Sequence, residues 1–105
     1  MEEWLCTVEG PGGQSITRNF LVDTGASLSL IPVGEARSLG LPVVGYQAVM
    51  TAGKVLDHCP VVRAKVSVEG CGYFMTEFYA VPTTIYCLGM SAIRVCGLRI
   101  PGRRG

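Results

Sequence analysis

The stretch NFLVDTGASLSLIP, residues 19–32, places a single carboxylate, Asp23, between two apolar segments. The letters FLV precede Asp23, and LSLI follows the Thr-Gly-Ala-Ser turn. A carboxylate beside a buried strand is costly unless another group pairs with it or the protein uses it. An ordinary surface turn is the simplest reading of Asp-Thr-Gly. The apolar flanks instead favour a loop held between two buried strands, and they mark Asp23 as a candidate for chemistry.

The bulk composition indicates one small domain, residues 1–105. The 105 residues are 49% hydrophobic and 16% charged, and their net charge of +1 gives no field that would attract nucleic acid or an anionic membrane. The 5 cysteines are odd in number and form no CxxC pair, so neither a disulfide framework nor a zinc site is indicated. The acidic start, Met1-Glu2-Glu3, lacks the basic region of a signal peptide. We therefore expect a soluble cytoplasmic protein that binds neither nucleic acid nor membrane.

The 14 glycines and 6 prolines divide the chain into short segments, most of which are typical of strands. Val62, Ala64, Val66 and Val68 alternate with polar residues, which is the pattern of a half-buried strand. Strands are predicted at residues 4–8, 16–22, 28–31, 46–51, 55–59, 62–68, 73–81, 85–88 and 98–100, and helices at 34–39 and 91–96, the latter ending at Gly97. These elements predict an all-β small closed barrel with a short C-terminal helix.

Other chemistries find little support in the residues. A serine nucleophile needs a base, yet His58 is the only histidine and GASLS is not a G-x-S-x-G elbow. Asp57, His58 and Cys59 are metal-competent residues, but neighbouring residues of a strand point to opposite faces. Two carboxylates that share a proton remain as an alternative: one accepts a proton from water and the other donates one. The second carboxylate would be Asp57 or the Asp23 of a second copy across a two-fold axis.

Three segments together resemble the retropepsin-like aspartic proteases, the single-lobe relatives of pepsin. FLVDTGASLSLIP, residues 20–32, is similar to the active-site segment of that family. AVPTTIYCLGMSAIRVCGLRI, residues 80–100, resembles its second signature, in which a strand ends in Leu-Gly and a helix and a last short strand follow. VMTAGKV, residues 49–55, resembles the flap hairpin, with Gly53 near its tip. The combination covers nearly the whole chain and is more specific than Asp-Thr-Gly alone.

The resemblance implies a closed barrel of the acid-protease type with a flap, acting as a homodimeric aspartic endopeptidase on polypeptides without a metal or cofactor. Asp23 would be the catalytic aspartate of each protomer, Thr24 would bond across the dimer axis, and Gly25 would allow close approach. The residues that would contact substrate are Ala26 and Ser27 in the cleft floor, Met50, Thr51, Ala52 and Gly53 in the flap, and Ile85 and Cys87 in side-chain pockets.

Two departures from the family concern the dimer. Viral members carry an ion pair near the dimer contact, and Ser27 and Met90 stand at its two positions here. Only residues 1–3 precede the first hairpin, so the strand at 98–100 would carry the strand interface alone. These departures predict a weak or differently built dimer, and they favour an alternative function as a dimerisation or peptide-binding module with little proteolysis. A third reading, a metal or redox protein using His58 and the cysteines, has less support.

Overall fold

The computed structural model describes residues 2–23, 25–51, 53–69 and 72–99. Strands account for most of them, as the sequence predicts. The elements in chain order are β1 (Glu3–Glu9), β2 (Ser15–Val22), β3 (Ser29–Pro32), α1 (Val33–Ser38), β4 (Val43–Thr51), β5 (Lys54–Val68), β6 (Tyr73–Val81), β7 (Cys87–Leu88) and α2 (Met90–Arg99). No helix within these ranges is long and apolar enough to cross a membrane.

The strands form one sheet in the order β1-β2-β7-β3-β6-β5-β4. β1 also pairs with β5, from Cys6 opposite Val68 to Glu9 opposite Lys65, and this pairing closes every strand except β4 into a barrel. β4 lies outside the closed ring and pairs with β5. The predicted all-β small closed barrel is therefore confirmed.

The core of the barrel is formed by side chains that are buried at alternate positions along the strands. Val62, Ala64, Val66 and Val68 are buried along β5, as their alternation predicts. Phe20 stands at the centre of the core, with its ring 5.9 Å from that of Phe78 and 5.3 Å from that of Tyr86. The side chains that complete this cluster come from β1, β3, β6, β7 and both helices: Trp4, Cys6, Val8, Ile31, Ala36, Leu39, Phe74, Ala80, Leu88 and Ala92.

The strand boundaries differ from the predicted ones in three places. β5 is a single strand of 15 residues that continues through Pro60, whereas the sequence predicts two strands separated at that position. Proline lacks an N–H, and the register of the partner strand β4 is irregular on both sides of Tyr46, which pairs with Pro60. β4 begins at Val43 instead of residue 46. β7 is shorter than predicted, since the N–H of Ile85 bonds to the Thr83 hydroxyl (3.1 Å) in a local turn before the strand.

The end of the chain also differs from the prediction. Helix α2 runs from Met90 to Arg99, so it passes through Gly97 instead of ending there. The strand predicted at 98–100 is wrong for residues 98 and 99, and Ile100 lies outside the described residues. A helix satisfies its own backbone hydrogen bonds, whereas a strand needs a neighbouring strand. Glycine costs about 1 kcal/mol in a helix interior, which is too little to end a helix by itself.

Candidate active site

Asp23 follows β2 at the point where β7 is inserted between β2 and β3. β7 runs parallel to β2, with Val22 opposite Leu88, and antiparallel to β3. Asp23 is the first residue after β2, and its N–H donates a hydrogen bond to the carbonyl oxygen of Leu88 (3.1 Å). Two residues earlier, in β2, the Leu21 N–H donates a hydrogen bond to the carbonyl oxygen of Tyr86 (2.9 Å). The backbone of Asp23 is therefore fixed by a strand from the far end of the sequence.

The loop that follows Asp23 is a tight turn. Oδ1 of Asp23 accepts a hydrogen bond from the Gly25 N–H (2.9 Å), and its carbonyl oxygen accepts one from the Ala26 N–H (3.2 Å). A Cβ on Gly25 would lie 3.3 Å from Oδ1 of Asp23, so a side chain at that position would crowd the carboxylate. These are the local bonds of an ordinary Asp turn. Here, however, the turn joins two strands of the barrel, and Asp23 is only partly exposed.

The Leu88-Gly89 pair at the end of β7 packs against this loop. A Cβ on Gly89 would lie 2.3 Å from the carbonyl oxygen of Leu28, so only glycine fits there without displacing the backbone. The Gly89 N–H donates to the hydroxyl of buried Ser29 (3.0 Å), and the Met90 N–H donates to the carbonyl oxygen of Ala26 (2.7 Å). Sequence reasoning missed Ser29, although one polar residue within the apolar LSLI segment was the available signal.

The electrostatics of the site involve the thiol of Cys87. Burial raises the pKa of this thiol, and the negative charge of Asp23 raises it further. Cys87 opposes Leu21 on one side and Leu30 on the other, which places it in β7 beside the end of β2. The thiol therefore stays protonated and neutral near the Asp23 carboxylate.

A cavity of about 230 Å³ lies between the Asp23 loop and the hairpin formed by β4 and β5. Its lining combines the loop with the end of β4: Gly25, Ala26, Ser27, Leu28, Leu30, Val49 and Met50. The side chains of Leu28, Leu30 and Val49 belong to a small apolar cluster with Cys59 and Val81. The cavity thus has apolar walls from Leu28, Leu30 and Val49, and its lining begins at Gly25, two residues after Asp23.

A comparison with known families agrees with this geometry. The family model described as aspartyl protease matches residues 6–92, which include the Asp23 loop, the hairpin and the Leu88-Gly89 pair. The chain belongs to the aspartyl protease family. A comparison with curated proteins finds no match.

The structure brings together only some of the residues predicted to form the site. Gly25, Ala26, Ser27 and Met50 line one cavity, and sequence reasoning missed Leu28, Leu30 and Val49, which share it. Thr51 ends β4, and Gly53, with a φ of 79°, makes the turn into β5. Exposed Ile85 and buried Cys87 are not part of that lining. Thr24 and Ala52 lie outside the described residues.

The second carboxylate considered from the sequence, Asp57, lies elsewhere in the structure. Asp57 and His58 are exposed on β5, and they line a separate cavity of about 310 Å³ beside Arg37 of α1. Cys59 points the other way and is buried, with its thiol donating to the carbonyl oxygen of Ala80 (3.2 Å). Asp57 therefore lies at a cavity other than the one that begins at Gly25 beside Asp23.

The base of the hairpin is anchored to the barrel. The Tyr79 hydroxyl of β6 donates to Oε1 of Gln47 in β4 (2.6 Å). Immediately beyond Gln47 the register of β4 against β5 shifts, and regular pairing resumes from Val49 opposite Leu56 to Thr51 opposite Lys54. The outer part of the hairpin is thus separated from its anchored base by an irregularity in the strand pairing.

Proposed function

We propose that this aspartyl protease is an endopeptidase that hydrolyses extended polypeptides as a homodimer. The observation that carries the proposal is the placement of Asp23, whose backbone is fixed by Leu88 and which lies two residues before Gly25, where the lining of the apolar cavity begins. None of the described residues that line that cavity carries a carboxylate, and Asp23, two residues before Gly25, is the nearest one in the sequence. A symmetric dimer that brings two such loops face to face would supply the missing partner from the same position of the second chain.

The chemistry follows from two carboxylates too close to ionise together. One Asp23 is ionised and accepts a proton from a water molecule as the water oxygen attacks the peptide carbonyl carbon. The other Asp23 is protonated and donates its proton to the carbonyl oxygen, which gives a tetrahedral diol. The Asp23 that took the proton from water then gives it to the departing nitrogen, while the other Asp23 takes a proton from a hydroxyl of the diol. The carbon–nitrogen bond breaks, an acid and an amine form, and the two carboxyl groups return to their starting state. Because one shared proton must be present, activity is expected to fall at both acidic and alkaline pH.

The remaining residues support this mechanism as parts of the proposal. Thr24 stiffens the paired loops across the axis, while Met50 to Gly53 close over the bound peptide and exclude water. Ile85 and Cys87 contribute to side-chain pockets once the second chain is in place. A reducing cytoplasmic location suits the three buried free thiols, Cys6, Cys59 and Cys87, and belongs to the same proposal.

The test is a digest of a peptide library, read by mass spectrometry, with the wild-type protein beside Asp23→Asn at several pH values and protein concentrations. Cleavage should appear with the wild type alone and should rise faster than linearly with protein concentration. In an equal mixture of the two proteins, about a quarter of the dimers should contain two wild-type chains, and only these keep both carboxylates. The activity per total protein should therefore fall to about a quarter of the wild-type value. Cleavage that persists in pure Asp23→Asn would overturn the proposal.

A second candidate, a peptide-binding module, is favoured by one observation. Residues 98 and 99 are helical in the single chain, so the strand expected to join two copies is not formed there. In that case wild type and Asp23→Asn would bind the same peptides with equal affinity, and neither would cut them. The peptide-library digest separates the two candidates, because only the endopeptidase cuts in a way that depends on Asp23, and analytical ultracentrifugation shows whether the chain forms the proposed dimer.

A further inference from the structure

Strand β4 is an open edge of the sheet. Within the described part of the chain, its pairing is with β5 along one side, and the opposite side is left without a strand. The sequence of β4, VVGYQAVMT, contains neither a charged residue nor a proline. Proteins usually protect an exposed edge with lysines, other charges or prolines, because an open edge accepts another strand. β4 lacks those protections over its whole length.

The side chains of this edge are apolar and accessible. Tyr46 is 62% exposed, Val44 is 50% exposed and Val43 is 49% exposed. Their strand is also held in place near its middle, where Gln47 accepts the hydrogen bond from Tyr79. A strand that is fixed before binding loses little conformational entropy when a second strand adds to it.

The same strand leads directly into the candidate cleft. Val49 and Met50 line the cavity beside the Asp23 loop, and Tyr46 and Val44 precede them on β4. An extended strand advances about 3.3 Å per residue, so Tyr46 lies roughly 13 Å along the strand from Met50. An extended peptide that occupies the cavity and continues along β4 would reach Tyr46 about four residues farther on.

We propose that residues 43–47 form a distal docking strip for the flanking part of a polypeptide substrate. The segment about four to six residues from the cleaved bond adds to β4 as a further strand. Main-chain hydrogen bonds supply affinity, and Tyr46 and Val44 favour uncharged β-branched or aromatic residues in that segment. The inference rests on the proposed endopeptidase function and extends it to a class of substrate, namely long segments with an extended, uncharged flank.

A substrate flank fits this edge better than the β4 of a second copy. The register irregularities of β4, between Val43 and Gly45 and between Gln47 and Val49, bend the strand. A flexible segment can follow such a bend, whereas two identical bent strands would meet over a short run only. Continuity with the cavity gives the substrate flank a further advantage, because binding in the cleft already brings it to the edge.

The experiment compares a short peptide, which spans only the cleft, with the same peptide extended on both sides by about six residues rich in valine and threonine. The extension should lower KM by at least about fivefold and leave kcat unchanged, since it adds binding that is equal in the ground and transition states. Tyr46→Ala should abolish that difference. The matched control is Tyr73→Ala on β6, because Tyr73 is similarly exposed (58%) and should leave the difference intact.

A binding measurement on Asp23→Asn separates failure of this inference from failure of the proposed function. The long peptide should bind this variant at least about fivefold more tightly than the short one and should shift the amide NMR signals of residues 43–47. That result would support the strip even if the wild type cuts neither peptide. Equal affinities, or signals of residues 43–47 that do not move, would overturn it. Dissociation of the protein into monomers on Tyr46→Ala would also overturn it, because the edge would then be an interface between copies.

Discussion

The Gly89 N–H donates a hydrogen bond of 3.0 Å to the hydroxyl of Ser29, although the two residues are 60 positions apart in the chain. Ser29 is only 1% exposed, so water cannot replace this bond. The bond joins the strand after the Asp23 loop to the glycine before α2. It therefore joins two of the three segments by which the sequence resembles the aspartic proteases, namely residues 20–32 and 80–100.

Replacing this hydroxyl should destabilise the fold. In Ser29→Ala the Gly89 N–H stays buried without an acceptor, and we expect a loss of about 1–3 kcal/mol in the free energy of unfolding. Urea unfolding followed by tryptophan fluorescence measures the loss. Ser15→Ala, at an exposed position on β2, is the control and should change stability by less than about 0.5 kcal/mol. Equal losses in the two variants would show that the Ser29 bond contributes nothing specific.

Gly89 and Gly34 should respond in opposite directions to alanine. A Cβ on Gly89 would lie 2.3 Å from the Leu28 carbonyl oxygen, so Gly89→Ala must displace backbone and should lose more than about 3 kcal/mol or fail to fold. A Cβ on Gly34, in helix α1, meets nothing within 4 Å. Gly34→Ala should therefore gain about 0.4–1 kcal/mol by reducing the entropy of the unfolded chain. Thermal unfolding of both variants checks this, and a stable Gly89→Ala protein would contradict the close packing.

The ion pair between Arg18 and Glu35 should be weak. Nη2 of Arg18 lies 3.5 Å from Oε2 of Glu35, and the guanidinium lies 6.0 Å from the centre of the Tyr86 ring. The Arg18 side chain is 47% exposed, so water and salt screen the pair. A double-mutant cycle with Arg18→Ala and Glu35→Gln should give a coupling free energy below about 1 kcal/mol that falls further in high salt. A salt-independent coupling of several kcal/mol would contradict this expectation.

Stability should decrease at alkaline pH partly because of Cys6. Burial raises the pKa of its thiol from 9.0 to about 12. Between these values the unfolded chain loses the thiol proton while the folded chain keeps it, so the folded state is progressively disfavoured as pH rises. The contribution of Cys6 to this slope is at most about 1.4 kcal/mol per pH unit.

Cys6→Ala should therefore show a shallower loss of stability over the same range, whatever its stability at neutral pH. Urea unfolding at several pH values from 8 upward measures the slope, and exposed Ser15→Ala again serves as the control. A slope remains in the variant because burial also raises the pKa values of Cys59 and Cys87. Identical slopes for wild type and Cys6→Ala would show that the thiol does not titrate as its burial predicts.

Local patterns in the sequence were sufficient to predict many of the strands of the barrel. The hairpin of β1 and β2 and the buried positions 62, 64, 66 and 68 follow from turn residues and period-two alternation, which act over a few residues. The end of α2 could not be predicted this way. The segment after Gly97 has a strand-like composition, but a strand forms only where a neighbouring edge can receive it.

The candidate site was predictable at Asp23 and less so around it. The resemblance identified the loop and the hairpin, and the cavity contains Gly25, Ala26, Ser27 and Met50. The other lining residues, Leu28, Leu30 and Val49, are ordinary strand residues in sequence, and only the insertion of β7 and the fold of the hairpin turn them toward the cavity. A single sequence does not display the order of strands that are far apart in the chain. The place of Leu28, Leu30 and Val49 in the site could therefore be seen only in the structure.

The position of β7 also has a consequence for how the protein is made. Asp23 leaves the ribosome before Leu88, whose carbonyl oxygen accepts the hydrogen bond from the Asp23 N–H. Contacts between residues so distant in sequence close late and slow the folding of a barrel. During synthesis the Asp23 loop therefore has no fixed geometry until residues 87–88 have left the ribosomal tunnel. The nascent chain therefore carries Asp23 through the whole synthesis of residues 24–86 before the strand that fixes its backbone exists.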